Sequence, residues 1–213
     1  MPELAFHVHG AEAVGSAVAP TIALFLEISN RPPDQAIQTV ILNCQIHIEA
    51  ARRSYARAEQ DRLRDLFAEP ERWGQTLRPL FWTNLTTNVA GFTGSVGTKL
   101  AIPCGFDLEV ASSKYFHGIE GGTVPITLLF SGTIFYHAGN QLQAAPIPWN
   151  TEARFSLPVK IWKESIDLHY PNAAWLGLRR DNFERLYAFK VRHGLATFDE
   201  AIETMLANSR EAA

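Results

Sequence analysis

The sequence predicts a mainly β fold with helices attached: an antiparallel β-sandwich or strongly curved sheet, with a helical insertion and a C-terminal helical cover. Three observations predict it. Apolar residues recur with a period of two in several segments, most cleanly over residues 37–49. A stretch rich in Arg and Ala interrupts that alternation at 50–79, and two segments of helical period close the chain. In the clearest segment Val40, Leu42, Cys44, Ile46 and Ile48 fall on one side, opposite Asn43, Gln45, His47 and Glu49. Such a pattern describes a strand buried on one face and polar on the other. With 213 residues, 46% of them hydrophobic, the chain can build one substantial core, and 1–213 is assigned to a single domain.

Each element follows from its own pattern. Leu4, Phe6 and Val8 alternate with Ala5, His7 and His9 in a first strand at 3–10. Ile22, Leu24, Leu26 and Ile28 mark a second at 21–29, stopped by Pro32-Pro33, which lack the amide donor a ladder needs. After the strand at 37–49, residues 50–67 read as a surface helix with a ragged apolar stripe. Pro70 opens a short second helix carrying Trp73 and Leu77, and Pro79 ends it. Strand character returns with Leu85, Thr87 and Val89, bent at Gly91, Gly94 and Gly97, and again at 105–112. Residues 112–122 read as an exposed connection. Val124, Ile126, Leu128, Phe130, Ile134 and Tyr136 share one face of a long strand at 123–137, with Leu129 and Phe135 on the other, so part of it is expected to be covered on both sides. A turn-like stretch at 138–149 precedes alternation over 153–169, whose parity changes near Ile161-Trp162 and suggests a bulge, bend or change of sheet. Two helices occupy 174–210 and are expected to pack on the β core: one capped near Asp181 and ended by Gly194, the other opened by Thr197 and Glu200 at capping-box spacing.

Composition excludes several classes. A formal charge of -3, from 19 basic and 22 acidic residues, offers no global field for nucleic acid. No segment approaches the ~20 apolar residues that cross a bilayer, so no membrane insertion is expected. The N-terminus carries Glu3, His7, His9 and Glu12 in place of a basic, then apolar, leader. Cys44 and Cys104 do not make a disulfide framework, and Cys44 shares its strand's apolar parity; reduced thiols and a cytoplasmic setting follow.

Candidate chemistry is sparse, and no cofactor is implied. The strongest metal possibility joins His7 and His9 with His47 and Glu49, since an i,i+2 pair puts two ligands on one strand face. Ordinary polar strand faces account for the same residues with fewer assumptions. Gly91, Gly94 and Gly97 lack the spacing of a dinucleotide turn, and Thr98-Lys99 does not complete a phosphate loop. Asp107 and Glu109 alternate with apolar residues as a solvent face does. Ser112, Ser113, Lys114 and His117 bring reactive types to one connection without a nucleophile motif, and Cys104 has no redox partner nearby. Trp82, Trp149 and Trp175 stand near element edges as candidate partner anchors, with Arg179 and Arg180 on the rim.

Val124-Pro125-Ile126-Thr127-Leu128-Leu129-Phe130-Ser131-Gly132-Thr133-Ile134-Phe135-Tyr136, with the helices over Arg179–Met205, resembles a bacterial family encoded beside actinobacterial-type nickel–iron hydrogenases. The resemblance spans most of the chain and implies an accessory, maturation or assembly role, with a hydrogenase subunit or maturation factor as partner. It carries over no site residues. The chain lacks the paired Cys-x-x-Cys motifs expected of a subunit that itself held the nickel or iron–sulfur centre. Non-enzymatic protein binding is therefore the leading expectation, ahead of a metal-dependent enzyme using the His/Glu set and a carbohydrate-binding module.

Overall fold

The alternating segments at the start of the chain form three long strands, β1 (Glu3–Ala13), β2 (Thr21–Arg31) and β3 (Ile37–Ile48). The structure, a computed structural model, describes residues 1–105, 111–139, 141–173 and 177–211. The chain divides into two compact units, Met1–Ala174 and Trp175–Ala213.

In the first unit β4 (Leu80–Phe92), β5 (Ser95–Pro103), β6 (Thr123–Ala138), β7 (Gln141–Pro146) and β8 (Glu152–Pro158) complete two antiparallel sheets. One has the order β1-β2-β5; the other runs β4-β3-β6-β7, with β8 also paired to β6. At their margins β1 lies against β8 and β4 against β5. The result is a β-sandwich with helical elements. Ile22, Leu24, Leu26 and Ile28 of one sheet and Val40, Leu42, Cys44, Ile46 and Ile48 of the other are each 0–1% exposed. Between the sheets Phe6 stacks on Phe130, ring centroids 4.1 Å apart. The inward parity of β6 is as expected, but Leu129 on its reverse side is 36% exposed and Phe135 half-buried. That reverse face is covered only in part.

Strand β6 uses one edge twice. Residues Thr123–Leu129 pair with β8 and Thr133–Ala138 with β7, while the other edge pairs with β3 throughout. Gly132 sits where the partner changes: its carbonyl accepts from the Ile147 amide at 3.0 Å, and Phe130 N donates to Thr151 O at 2.9 Å. Its φ of +138° belongs to glycine, and a Cβ there would run into the Ile41 carbonyl oxygen.

The insertion between β3 and β4 is helical but fragmented: a 3-10 turn at Ala50–Arg52, α1 (Arg57–Arg62), α2 (Arg64–Phe67), a second 3-10 turn at Pro70–Arg72 and α3 (Trp73–Thr76). Three other segments differ from expectation. The connection at 112–122 begins as a helix, α4 (Ala111–Gly118), with Tyr115 and Phe116 wholly buried. Those two rings draw it inward, each worth ~1.5–3 kcal/mol of burial. The turn-like 138–149 contains β7. The parity change near Ile161-Trp162 is a change of element: β8 stops at Pro158 and α5 (Val159–Asp167) follows, burying Val159, Ile161, Trp162 and Ser165. The expected strand at 105–112 falls largely on residues 106–110, outside those described, with Asp107 and Glu109.

The second unit contains α6 (Arg180–Arg192) and α7 (Phe198–Glu211). Gly194, at φ +62°, ends the first helix. Thr197 Oγ1 accepts from the Glu200 amide at 3.1 Å, and the Glu200 carboxylate accepts from Ala196 N at 2.7 Å. Phe198 packs against Phe183 and Tyr187 at 5.5 and 6.4 Å between centroids, closing the two helices into a hairpin.

Candidate functional site

Beginning with the histidines, His7 and His9 project from the outer parity of β1, their rings 4.6 Å apart. His9 Nε2 lies 2.7 Å from Glu27 Oε2. His47 and Glu49 belong to β3 and its end, in the other sheet. His47 packs edge-on to Phe81, and Glu49 accepts from the Thr127 hydroxyl at 2.8 Å. Because the inner faces of the sheets pack together, residues at outward positions of β1 and β3 are kept apart. The structure therefore does not bring His7 and His9 to His47 and Glu49, and among the described residues no three His, Cys, Asp or Glu side chains are grouped to hold a metal.

A polar cluster that sequence reasoning missed lies between the insertion and the sandwich. Arg53 Nη2 donates to Glu59 Oε1 at 2.8 Å and to Gly121 O at 2.7 Å. Glu59 also accepts from the amides of Ala56 at 3.0 Å and Glu120 at 2.8 Å. Beside them Tyr55 donates to Ala50 O at 2.7 Å and shares a 2.8 Å hydrogen bond with Tyr115. Burial works to raise the Glu59 pKa, but the two amides and the guanidinium outweigh it and hold the carboxyl below its usual range. Burial is also the main cause that pushes the Tyr55 and Tyr115 phenols up, so both stay neutral. Each acceptor oxygen of Glu59 is engaged, and Arg53 Nη2 is spent on fixed partners, while Nη1 is buried without a hydrogen-bond partner among the described residues. The cluster is a fastening for the insertion. Its signal was the mixture of arginines and acids in a stretch whose apolar stripe was too ragged to bury by itself.

Two of the other reactive types are similarly engaged. Ser113 donates to Gly105 O at 3.3 Å, and Lys114 Nζ to Asp65 at 3.0 Å. Cys44 and Cys104 are free and buried, and burial pushes both thiols up to about 12. Thiolate is the reacting form, so a chromogenic disulfide reagent is expected to leave the native protein unmodified while free cysteine reacts to completion. Denaturant should release both thiols. Fast reaction of the native chain at Cys104 would contradict this assignment.

The candidate anchors separate. Trp82 is 9% exposed and packs on Phe116 at 5.0 Å, so it is a core residue and is withdrawn as an anchor. A bulge at Ile46/His47 of the β3–β4 ladder turns it inward. Trp149 is 91% exposed in the turn after β7. Trp175 lies outside the described residues. Arg179 and Arg180 are exposed at the start of α6. In the same unit a groove of about 500 Å³ runs between the helices, lined by Leu178, Leu186, Phe189, Ile202, Met205 and Leu206, with Asn182 and Arg185.

Residues 1–213 match the model described as Family of unknown function (DUF6084). The chain belongs to that family. No curated protein matches it. Among solved structures, the β-glucosidase from Kluyveromyces marxianus matches with 10% identity and a TM-score of 0.25, over 73% of this chain and 15% of that chain. The chain thus spans a small part of that protein's length, and a likeness at this level bears on neither fold nor function. Among the described residues, no helix of this DUF6084 chain is long and apolar enough to cross a membrane.

Proposed function

We propose that the chain is a non-enzymatic, protein-binding accessory or assembly factor whose contact element is the α6–α7 hairpin. One observation carries this: among the described residues of that unit only Ala201 is buried, while Leu178, Phe183, Tyr187, Val191, Ile202, Met205 and Leu206 are exposed. Helices of 13 and 14 residues are marginal alone, and the exposed part of the apolar groove, Leu178, Ile202, Met205 and Leu206, is the kind of surface that partners cover. Trp149 remains a second, separate candidate anchor. The resemblance to a family encoded beside nickel–iron hydrogenases directs the search to a redox complex of that kind, and two buried reduced thiols suit a cytoplasmic setting.

Native affinity purification of the chain from its source cell, with crosslinking and metal analysis of the same sample, tests this. A stoichiometric protein partner crosslinked within 178–211 and lost in a Leu206→Asp variant is the expected result. A partner-free protein with tightly retained metal would defeat it.

A further inference from the structure

We infer that His169 is a pH-operated latch: its imidazolium ties the β1–β2 loop to the end of α5, and loss of one ring proton frees that loop. The observation is that both ring nitrogens face backbone carbonyls. Nδ1 lies 3.0 Å from Ser165 O and Nε2 lies 2.8 Å from Ala17 O. A carbonyl oxygen only accepts, and a neutral imidazole has one N–H and one lone pair. Either neutral tautomer therefore sets a lone pair against a carbonyl oxygen. The doubly protonated ring donates to both, and charge-assisted bonds of this kind are roughly twice as strong as neutral ones. Acid closes the latch and alkali opens it.

Both carbonyls are left for the ring by the chain around them. At the close of α5 the His169 amide donates to Ile166 O at 3.1 Å, which leaves Ser165 O without it. Orphan carbonyls at a helix C-terminus carry the negative end of its dipole and favour a cation there. Among the described residues, 15–19 are otherwise hydrogen-bonded only locally, Ala17 N to Val14 O at 3.5 Å and the Thr21 hydroxyl to Ala19 O at 2.8 Å. Gly15 rests near Leu168, and Val18 is fully exposed. The ring thus fastens the end of the first unit, which closes at Ala174, to a loop 152 residues earlier. The ionisable groups on the surrounding elements leave this charge preference in place. The loop itself has none, and β2 opens on Thr21 and Ile22. Glu12 of β1 pairs with Lys99 at 3.0 Å. On α5, Lys163 donates to Glu120 O at 2.8 Å, and Lys160, Glu164 and Asp167 are exposed. The Tyr170 ring lies 6.4 Å away between centroids, and burial keeps the Cys104 thiol, beside Ser165, neutral.

The test is limited proteolysis of the full chain by elastase, which cuts after small aliphatic residues such as Ala17 and Val18, at about pH 5.5 and about pH 8. Rates are normalised to a free peptide of residues 12–22, and nitrogen NMR follows protonation of the His169 ring in the same buffers. Cleavage within 15–19 is expected to rise at least about fivefold as the ring loses its second proton. His169→Gln, which can donate to only one of the two carbonyls, should be cut at the faster rate at both pH values. Wild-type cleavage that does not change across the ring's titration overturns the inference. An equal pH response in His169→Gln also overturns it, because the loop would then answer to another group. Should the variant melt well below the wild type, the wild-type cleavage and NMR comparison decides alone.

Discussion

Gly132→Ala is expected to destabilise the sandwich more than any other single-methyl change in it. Two costs coincide at this position. A φ of +138° is strained for any residue with a Cβ, and that Cβ would press into the Ile41 carbonyl, a backbone atom held by the β3–β6 ladder. Relief requires parting β6 from β3 where β6 also passes from β8 to β7. The expected loss is about 3 kcal/mol or more, or roughly 6–12 °C in Tm for a unit of this size. Gly97→Ala is the control: it lies in β5, and its added Cβ would meet nothing within 4 Å. It should change Tm by about 2 °C or less. Equal losses at the two positions in a thermal melt would show that the close approach at Gly132 does not matter.

Glu59→Ala should be the second large effect, at ~3–5 kcal/mol, because it leaves the buried Arg53 guanidinium without its counter-charge and two amides without an acceptor. Arg53→Met combined with Glu59→Gln should cost less than Glu59→Ala alone, since the stranded cation is gone and the Gln oxygen can still accept from an amide. The pair also sets a pH dependence. A carboxyl held below its usual range contributes stability that is fully present above that range and is lost as pH falls through the lowered value. Wild type should therefore show an acid-side loss that Glu59→Gln lacks. Coincident acid profiles in denaturant titrations would remove Glu59 from this role.

The strands were legible where one face is buried and the other wet. The period of two at β2, β3 and β6 records that asymmetry directly, and the sandwich follows from it. Legibility failed where a few large residues outweigh local pattern. Ser112–Gly118 reads as a loop by composition, yet Tyr115 and Phe116 seat it as a helix in the aromatic cluster with Trp82 and Trp162. Trp82 stands near an element edge in the sequence, and the bulge that turns it inward is invisible in the alternation. The histidine set failed for a topological reason: parity tells which face a residue takes, but not which sheet its strand joins. The connection between the two helices was legible from Gly194, Thr197 and Glu200, and their apolar stripes from the helical period. The cap expected near Asp181 is absent: Asp181 lies inside the first turn of α6, whose N-cap is Arg179 without a side-chain hydrogen bond. The fastening at Arg53 and Glu59 depends on contacts with Gly121 and Glu120, some 60 residues on, which no local pattern announces.

The double use of one β6 edge has a consequence for biosynthesis. β3 emerges from the ribosome about 75 residues before β6 begins, a delay of roughly 4–15 s at ordinary elongation rates. Throughout that interval the most apolar strand of its sheet has an open side, and β7 and β8 have nothing to join until β6 is in place. The vulnerable form of this protein is thus the nascent chain, before residue 138 has been translated. Slower initiation, lower temperature or a chaperone holding the exposed β3 edge should raise the yield of folded protein without altering the stability of the finished one.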